Sequence, residues 1–199
     1  MPKSNSLFLS LLFVFVFSLP TRLSSQDFQP GDNHIFTILT FPDSSTQEGY
    51  VKNSLSSTFY NRIIFFSKTG EKKVYTPYDD LLMFHLVERK RKFYSARGKF
   101  LEILFDGMKT TLLTYAESKV VPITMHYGST VPVPIKKRHY LLKRAGSLHI
   151  QKVKSQKFKK VYSDFFEDCP SVVNKIKSKK YKKNDIEDIV WEYESCSTD

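Results

Sequence analysis

The chain has 199 residues, with 31 Lys and Arg against 20 Asp and Glu, and 15% of its residues are aromatic. That length suits one domain with a helical appendage, and a hydrophobic fraction of 41% is too rich for intrinsic disorder. Nine Pro and seven Gly exclude a collagenous chain, while two Cys are too few for a disulfide-dense scaffold or most structural zinc domains.

Residues 1–25 read as a secretory signal peptide. Lys3 provides the positive start, Leu7 to Leu19 is almost wholly apolar, and Pro20 breaks the run before Leu23-Ser24-Ser25. The apolar stretch falls short of the roughly 20 residues a bilayer span needs, so cleavage near Ser25 is expected. An uncleaved amino-terminal anchor is the alternative. After cleavage no transmembrane segment is expected in the mature chain, and export places it in the periplasm, outside the cell or at the outer membrane. Nucleic acid then becomes a poor partner despite the formal charge of +11.

Residues 26–153 read as a β-rich domain. Ile35 to Phe41, Gly49 to Leu55, Arg62 to Ser67 and Lys72 to Tyr75 have β-branched and aromatic character, and Thr69-Gly70 separates the last two. Thr76-Pro77-Tyr78-Asp79 has the signals of a helix start, followed by a strand from Met83 to Val87. Phe100–Phe105 and Met108–Tyr115 read as a central hairpin around Asp106-Gly107, a dipeptide suited to a type I′ turn. The prolines at 122, 132 and 134 mark Val120 to Pro134 as an irregular loop. Strands resume at His139–Lys143 and Leu148–Val153 around Ala145-Gly146.

Residues 154–199 change period and read as three helices packed on the sheet. Phe158, Val161, Tyr162, Phe165 and Phe166 form an aromatic stripe at helical spacing. Cys169-Pro170 opens a short second helix carrying Val172, Val173 and Ile176. Asn184 with Glu187 opens the third, whose apolar face is Ile186, Ile189, Val190 and Tyr193. The fold class is therefore α+β: an antiparallel β sheet or partial barrel followed by three C-terminal helices.

Few residues stand out as chemistry. The five histidines (His34, His85, His126, His139 and His149) form no local zinc motif, and the glycines are too scattered for a phosphate-cradling loop. No G-x-S-x-G elbow occurs. No catalytic, cofactor-binding or metal residue is assigned, and no cofactor is expected. Cys169 and Cys196 are expected to form a disulfide in an oxidising compartment, with two buried free thiols as the alternative.

The basic residues are the main anomaly. From Lys136 to Lys183 there are 16 bases and three acids, whereas residues 184–199 carry six acids and no base. Candidates for a polyanion contact are Lys136, Lys137, Arg138, Lys143, Arg144, Lys152, Lys154, Lys157, Lys159 and Lys160, provided they share one surface. The other reading is a solvated face partly neutralised by the acidic tail.

Phe158-Lys159-Lys160, Phe165-Phe166-Glu167-Asp168-Cys169-Pro170, and Asp188-Ile189-Val190 through Tyr193 to Cys196 together form a pattern. It resembles the tail of short, uncharacterised exported proteins of Bacteroidota with a D-C-P helix junction and a Cys-ended terminal helix. Gly49-Tyr50-Val51 and Tyr75-Thr76-Pro77-Tyr78-Asp79 resemble their amino-terminal half. The resemblance implies export in a Gram-negative cell and pairing of the two cysteines, and brings no activity or cofactor. Those proteins usually read Tyr-Asn before the last Cys, whereas Glu194-Ser195 follows Tyr193 here.

Three function classes follow. The leading one is a non-enzymatic exported cell-envelope protein that binds another envelope component, an anionic one included. The others are a hydrolase whose site assembles only in three dimensions, and a structural accessory subunit of a surface complex.

Overall fold

The computed structural model describes residues 28–53 and 59–196, so the signal-peptide reading of residues 1–25 lies outside the described residues. The described residues form ten strands: β1 (His34–Thr40), β2 (Thr46–Lys52), β3 (Ile63–Ser67), β4 (Lys72–Tyr75), β5 (Met83–Leu86), β6 (Arg91–Ala96), β7 (Lys99–Asp106), β8 (Thr110–Thr124), β9 (Thr130–Arg144) and β10 (Ile150–Lys152). They build one antiparallel sheet in the order β10-β9-β8-β7-β6-β5-β1-β2-β3-β4. Three helices follow, α1 (Phe158–Phe165), α2 (Pro170–Lys177) and α3 (Ile186–Glu194), the last preceded by a 3-10 turn at Lys183–Asp185. This is the expected α+β fold.

Cross-strand partners point to the same side of a sheet, so the register traces each face. One row runs Leu39, Phe84, Phe93, Glu102, Thr114, Tyr140 across six strands. On this face Phe84 and Phe93 stack at 4.6 Å, and Phe59 packs on both. Ile35, Leu39, Val51, Phe65 and Phe100 extend the same buried cluster. Further along, a register shift between Ile103 and Phe105 brings Phe105 opposite Leu112. There Leu112 and Leu142 meet a second cluster containing Phe158, Tyr162, Phe166, Val172, Ile176, Ile189, Val190 and Tyr193. The helices thus cover one face of the β8–β9 end, as their aromatic and aliphatic stripes require.

Polar residues occupy the ground between the two clusters. Arg91 grips Glu102 with two hydrogen bonds of 2.6 and 2.8 Å, and Tyr60 donates to the same carboxylate at 3.2 Å. Burial, followed by the Glu102 charge, pushes the Tyr60 phenol up to about 12. Beyond it, Tyr140 donates to Glu187 of α3 at 2.9 Å.

Three local readings are corrected. The type I′ geometry sits at Arg97-Gly98, between β6 and β7, where both residues have positive φ (55° and 68°). Asp106-Gly107 instead lies at the end of β7, and the connection runs through Met108-Lys109, closed by the Gly107 N–H to the Thr110 carbonyl at 3.0 Å. The cause is tertiary. The Glu194 carboxylate of α3 accepts the backbone N–H groups of Lys109 (3.1 Å) and Thr110 (2.7 Å), and a Cβ on Gly107 would collide with Glu194 Cδ.

β6, a strand absent from the sequence reading, begins inside the basic run Arg89-Lys90-Arg91-Lys92 and has Phe93 as its buried member. The second correction concerns Thr76–Asp80, which forms a turn rather than a helix start. The Asp79 carboxylate accepts the Thr76 N–H and hydroxyl.

The third correction is the largest. Val120 to Pro134 is not an irregular loop but the outer part of a hairpin made of two 15-residue strands, paired continuously from Thr110–Arg144 to Thr124–Thr130. Met125 N–H bonds to the Ser129 carbonyl at 2.8 Å, closing the tip. That bond makes odd-numbered pairs the hydrogen-bonded ones in the outer ribbon, so even-numbered residues point their backbone nitrogen outward. Pro122, Pro132 and Pro134 are all even. Each sits where no ladder N–H is needed, which is why the strands tolerate them.

The helical tail agrees with its sequence signals except at the start of α3, where Asn184 and Glu187 form no capping box: the 3-10 turn Lys183–Asp185 leads in, the Asp185 carboxylate accepts the Lys182 N–H at 2.7 Å, and Glu187 holds Tyr140 instead. Pro170 takes the first turn of α2 after Cys169, as a residue with a fixed φ and no N–H should. Cys169 and Cys196 are disulfide-bonded across 27 residues, with their Cα atoms 5.9 Å apart. Tyr193 of α3 donates to Asp168, the residue before the first cysteine, at 2.8 and 2.9 Å. Burial, followed by that carboxylate, pushes its phenol up to about 12.

Candidate functional site: the protruding hairpin and the lysine-rich tail

β7 and β8 pair only as far as Glu102–Thr114, and from there the β8–β9 hairpin leaves the sheet with its own ladder. The start of β7 turns to another partner, the Phe100 N–H bonding to the Tyr60 carbonyl at 3.0 Å. Lys99 Nζ donates to Asn61 at 2.9 Å beside it. This divergence opens a cleft of about 720 Å³ at the hairpin base, lined by Asn61, Arg62, Lys99, Ala116, Glu117, Ser118 and Lys119.

His139 lies at the same base. It is 9% exposed, stacks on Tyr115 at 4.8 Å, and its Nε2 lies 3.2 Å from Glu117 Oε2. Lys152 donates to the Tyr115 hydroxyl at 2.8 Å. Burial first, then the Lys152 charge, pull the imidazole below its ordinary value, outweighing the Glu117 pair. The unfolded chain, with a His pKa of about 6.5, therefore binds more protons than the folded one just below that pH. Stability is full above the unfolded value and falls as pH drops through the folded one. Burial shifts His85 in the same direction. Thermal melts from pH 8 to 5 should show this slope, flattened in His139→Gln; an identical slope in the variant would remove His139 as its source.

The ten basic candidates occupy three places. Lys136, Arg138 and Arg144 lie on the helix-covered face, and Lys137, Lys143 and Lys152 on the opposite face, because side chains alternate along the strands. Several are already engaged. The Arg144 guanidinium donates to the Phe165 carbonyl, Lys143 sits 5.1 Å from the Tyr94 ring centre, and Arg138 lies beside Tyr140. Lys154, Lys157, Lys159 and Lys160 belong to the α1 approach and helix. Lys157, Lys159 and Lys160 gather with Lys177 around a shallow depression that also includes Ser163 and Asp164.

Next to that depression is a groove of about 420 Å³ between α1, α2 and the 3-10 turn. Phe158, Ile176 and Tyr181 supply its apolar part, and Lys159, Lys179, Lys182 and Lys183 surround it. None of these four lysines is in an ion pair among the described residues. Two acids of the tail touch groove residues without pairing with these lysine side chains: Glu192 binds Lys175 at 2.6 Å and accepts from Tyr181 at 2.6 Å, and the Asp185 carboxylate accepts the Lys182 backbone N–H at 2.7 Å. Lys179, Lys182 and Lys183 fall within the basic segment of the sequence without being singled out there; the signal is their position after the α2 stripe.

Among the described residues, no three His, Cys, Asp or Glu side chains come together as metal ligands, and no helix is long and apolar enough to cross a membrane. In comparisons with known proteins, no family model, no curated protein and no solved structure matches the chain.

Proposed function

We propose that the chain is an exported, non-enzymatic protein of a Gram-negative cell envelope that binds an anionic envelope component through its helical tail. The observation that carries the reading is the α1–α2 groove, where four lysines without ion-pair partners among the described residues surround Phe158, Ile176 and Tyr181. Ammonium groups around an apolar floor suit an amphiphilic anion, whose charged head and hydrocarbon part are then both accommodated. The Cys169–Cys196 bond supports export, since such bonds persist in oxidising compartments. The proposed compartments are the periplasm, the cell exterior and the outer membrane, all of them oxidising.

The interaction is electrostatic at its rim and weakens with salt. Heparin, a polyanion, serves as the first probe. Replacing Lys159, Lys179, Lys182 and Lys183 by Gln should lower the salt concentration that elutes the protein from immobilised heparin. Elution at unchanged salt would overturn the assignment of this groove.

A further inference from the structure

The hairpin that leaves the sheet has a composition unlike the rest of the surface. Between Lys119 and Lys136 lie 16 consecutive residues, Val120 to Ile135, with no Asp, Glu, Lys or Arg. Their apolar side chains stand in solvent: Val120 is 66% exposed, Met125 53% and Tyr127 96%, with Val121, Ile123, Val131 and Ile135 also exposed. An apolar surface of this kind marks a binding site, and three features of the ribbon identify what binds.

Both faces are apolar. Val121, Ile123, Val131, Val133 and Ile135 share one side, and Val120, Pro122, Pro132 and Pro134 the other. A strand pair docked on a protein buries one side and keeps the other polar, whereas a ribbon apolar on both sides suits a medium that surrounds it. The free edges are also prepared for such a medium. Six residues in this stretch (120, 122, 124, 130, 132 and 134) turn their backbone nitrogen outward, and three of them are prolines with no N–H to desolvate; the three remaining N–H groups and the outward carbonyls of all six need water or headgroup partners, which suits a hydrated interface and not a hydrocarbon core. The same prolines block addition of a further strand to either edge, which disfavours pairing with a second copy. Finally, the apolar stretch ends in a collar of exposed cations, Lys119, Lys136 and Lys137, at the level where the hairpin joins the body.

We infer that the β8–β9 hairpin embeds in the headgroup–acyl boundary of an anionic lipid bilayer, with its lysine collar against the lipid phosphates. About five residues of strand on each side of the tip reach about 17 Å, and the ribbon lies along the boundary of one leaflet rather than crossing the ~30 Å hydrocarbon core. Tyr127, an amphipathic ring at the tip, is of the type that favours the interface. This deepens the envelope reading, to which it adds a membrane contact separate from the tail groove.

The test uses the processed chain beginning near Gln26, because the apolar run at residues 7–19 would bind lipid by itself. Flotation with vesicles of phosphatidylethanolamine and phosphatidylglycerol is compared with phosphatidylcholine vesicles. Binding is expected to the anionic vesicles. It should weaken about tenfold or more in Val121→Asp with Ile123→Asp, and about fivefold for each of Lys119→Gln, Lys136→Gln and Lys137→Gln. These side chains are exposed, so circular dichroism and melting temperature should not change. In a Trp191→Phe background, Tyr127→Trp should shift its emission to the blue on adding anionic vesicles.

The groove variant with Gln at 159, 179, 182 and 183 should elute from heparin at lower salt and keep vesicle binding, so the two readings fail separately. Vesicle binding unaffected by the Asp substitutions would overturn the inference. So would a Tyr127→Trp variant whose indole emission stays at its aqueous wavelength when anionic vesicles are added. Concentration-dependent dimerisation that the same Asp substitutions abolish, without vesicle binding, would assign the hairpin to a second copy instead.

Discussion

Replacing Cys169 and Cys196 together by Ser should lower stability by about 3–4 kcal/mol, the loop-closure value for a loop of this size. The bond ties the start of α2 to the end of α3. Its effect should reach beyond the tail, because α3 also holds the β7–β8 connection. Glu194 accepts the Lys109 and Thr110 N–H groups, and Lys109 Nζ donates to the carbonyl of Cys196. Trp191, the single tryptophan of the chain, packs edge-on against Phe105 at 4.7 Å and reports directly on whether α3 is docked. Urea unfolding followed by Trp191 fluorescence should show the midpoint moving down in the double variant, and by the same amount when the natural protein is reduced. Coincident curves for oxidised and reduced protein would show that the covalent bond contributes nothing beyond the packing of Ile186, Ile189, Val190 and Tyr193.

The tail is the most legible part of the sequence because its signals are local. Pro170 can start a helix but not continue one, and the α1 and α3 stripes repeat within a few residues. Readings that depend on distant residues fail. Asp106-Gly107 has the chemistry of a type I′ turn, yet the carboxylate of Glu194, 87 positions after Gly107 in the chain, sets a different connection. Proline reads as a strand breaker, yet its effect depends on which way the backbone nitrogen points. In a two-stranded ribbon every second nitrogen faces outward, and the three prolines fall on that phase. Charge behaves similarly: Lys143 and Arg144 are neighbours in sequence and point to opposite faces of the sheet. A run of bases within a strand is therefore divided between two surfaces, while the lysines of α1, α2 and the 3-10 turn can converge. The groove is invisible in the sequence because it needs the packing of α1 against α2.

Phe93→Ala should be among the most damaging single substitutions in the sheet, costing about 3–5 kcal/mol. The ring is fully buried, stacked on Phe84, and approached by Phe59 at 6.0 Å and Tyr60 at 6.2 Å. No backbone movement readily fills the space it leaves, since Phe84 and Glu102 are held beside it by the ladders on either side of β6. Electrostatics adds to the loss. The Arg91 guanidinium lies 5.0 Å from the ring centre while binding Glu102, so removing the ring admits water beneath that ion pair. Phe93→Leu keeps an apolar filling and gives up the stacking, about 0.5–1.5 kcal/mol, together with the volume difference. Urea unfolding by far-UV circular dichroism should rank the natural protein, Phe93→Leu and Phe93→Ala in that order; a loss below about 1 kcal/mol for the Ala variant would mean the aromatic cluster is not a stabilising centre. Following Trp191 in the same samples gives the result wider reach. Phe93 belongs to the sheet cluster and Trp191 to the helical tail, with the Glu102–Arg91–Tyr60 group between them. If the Ala variant lowers the Trp191 midpoint equally, sheet and helices unfold as one cooperative unit. A Trp191 midpoint that stays put while the sheet signal falls would show that the disulfide-bonded tail holds itself together.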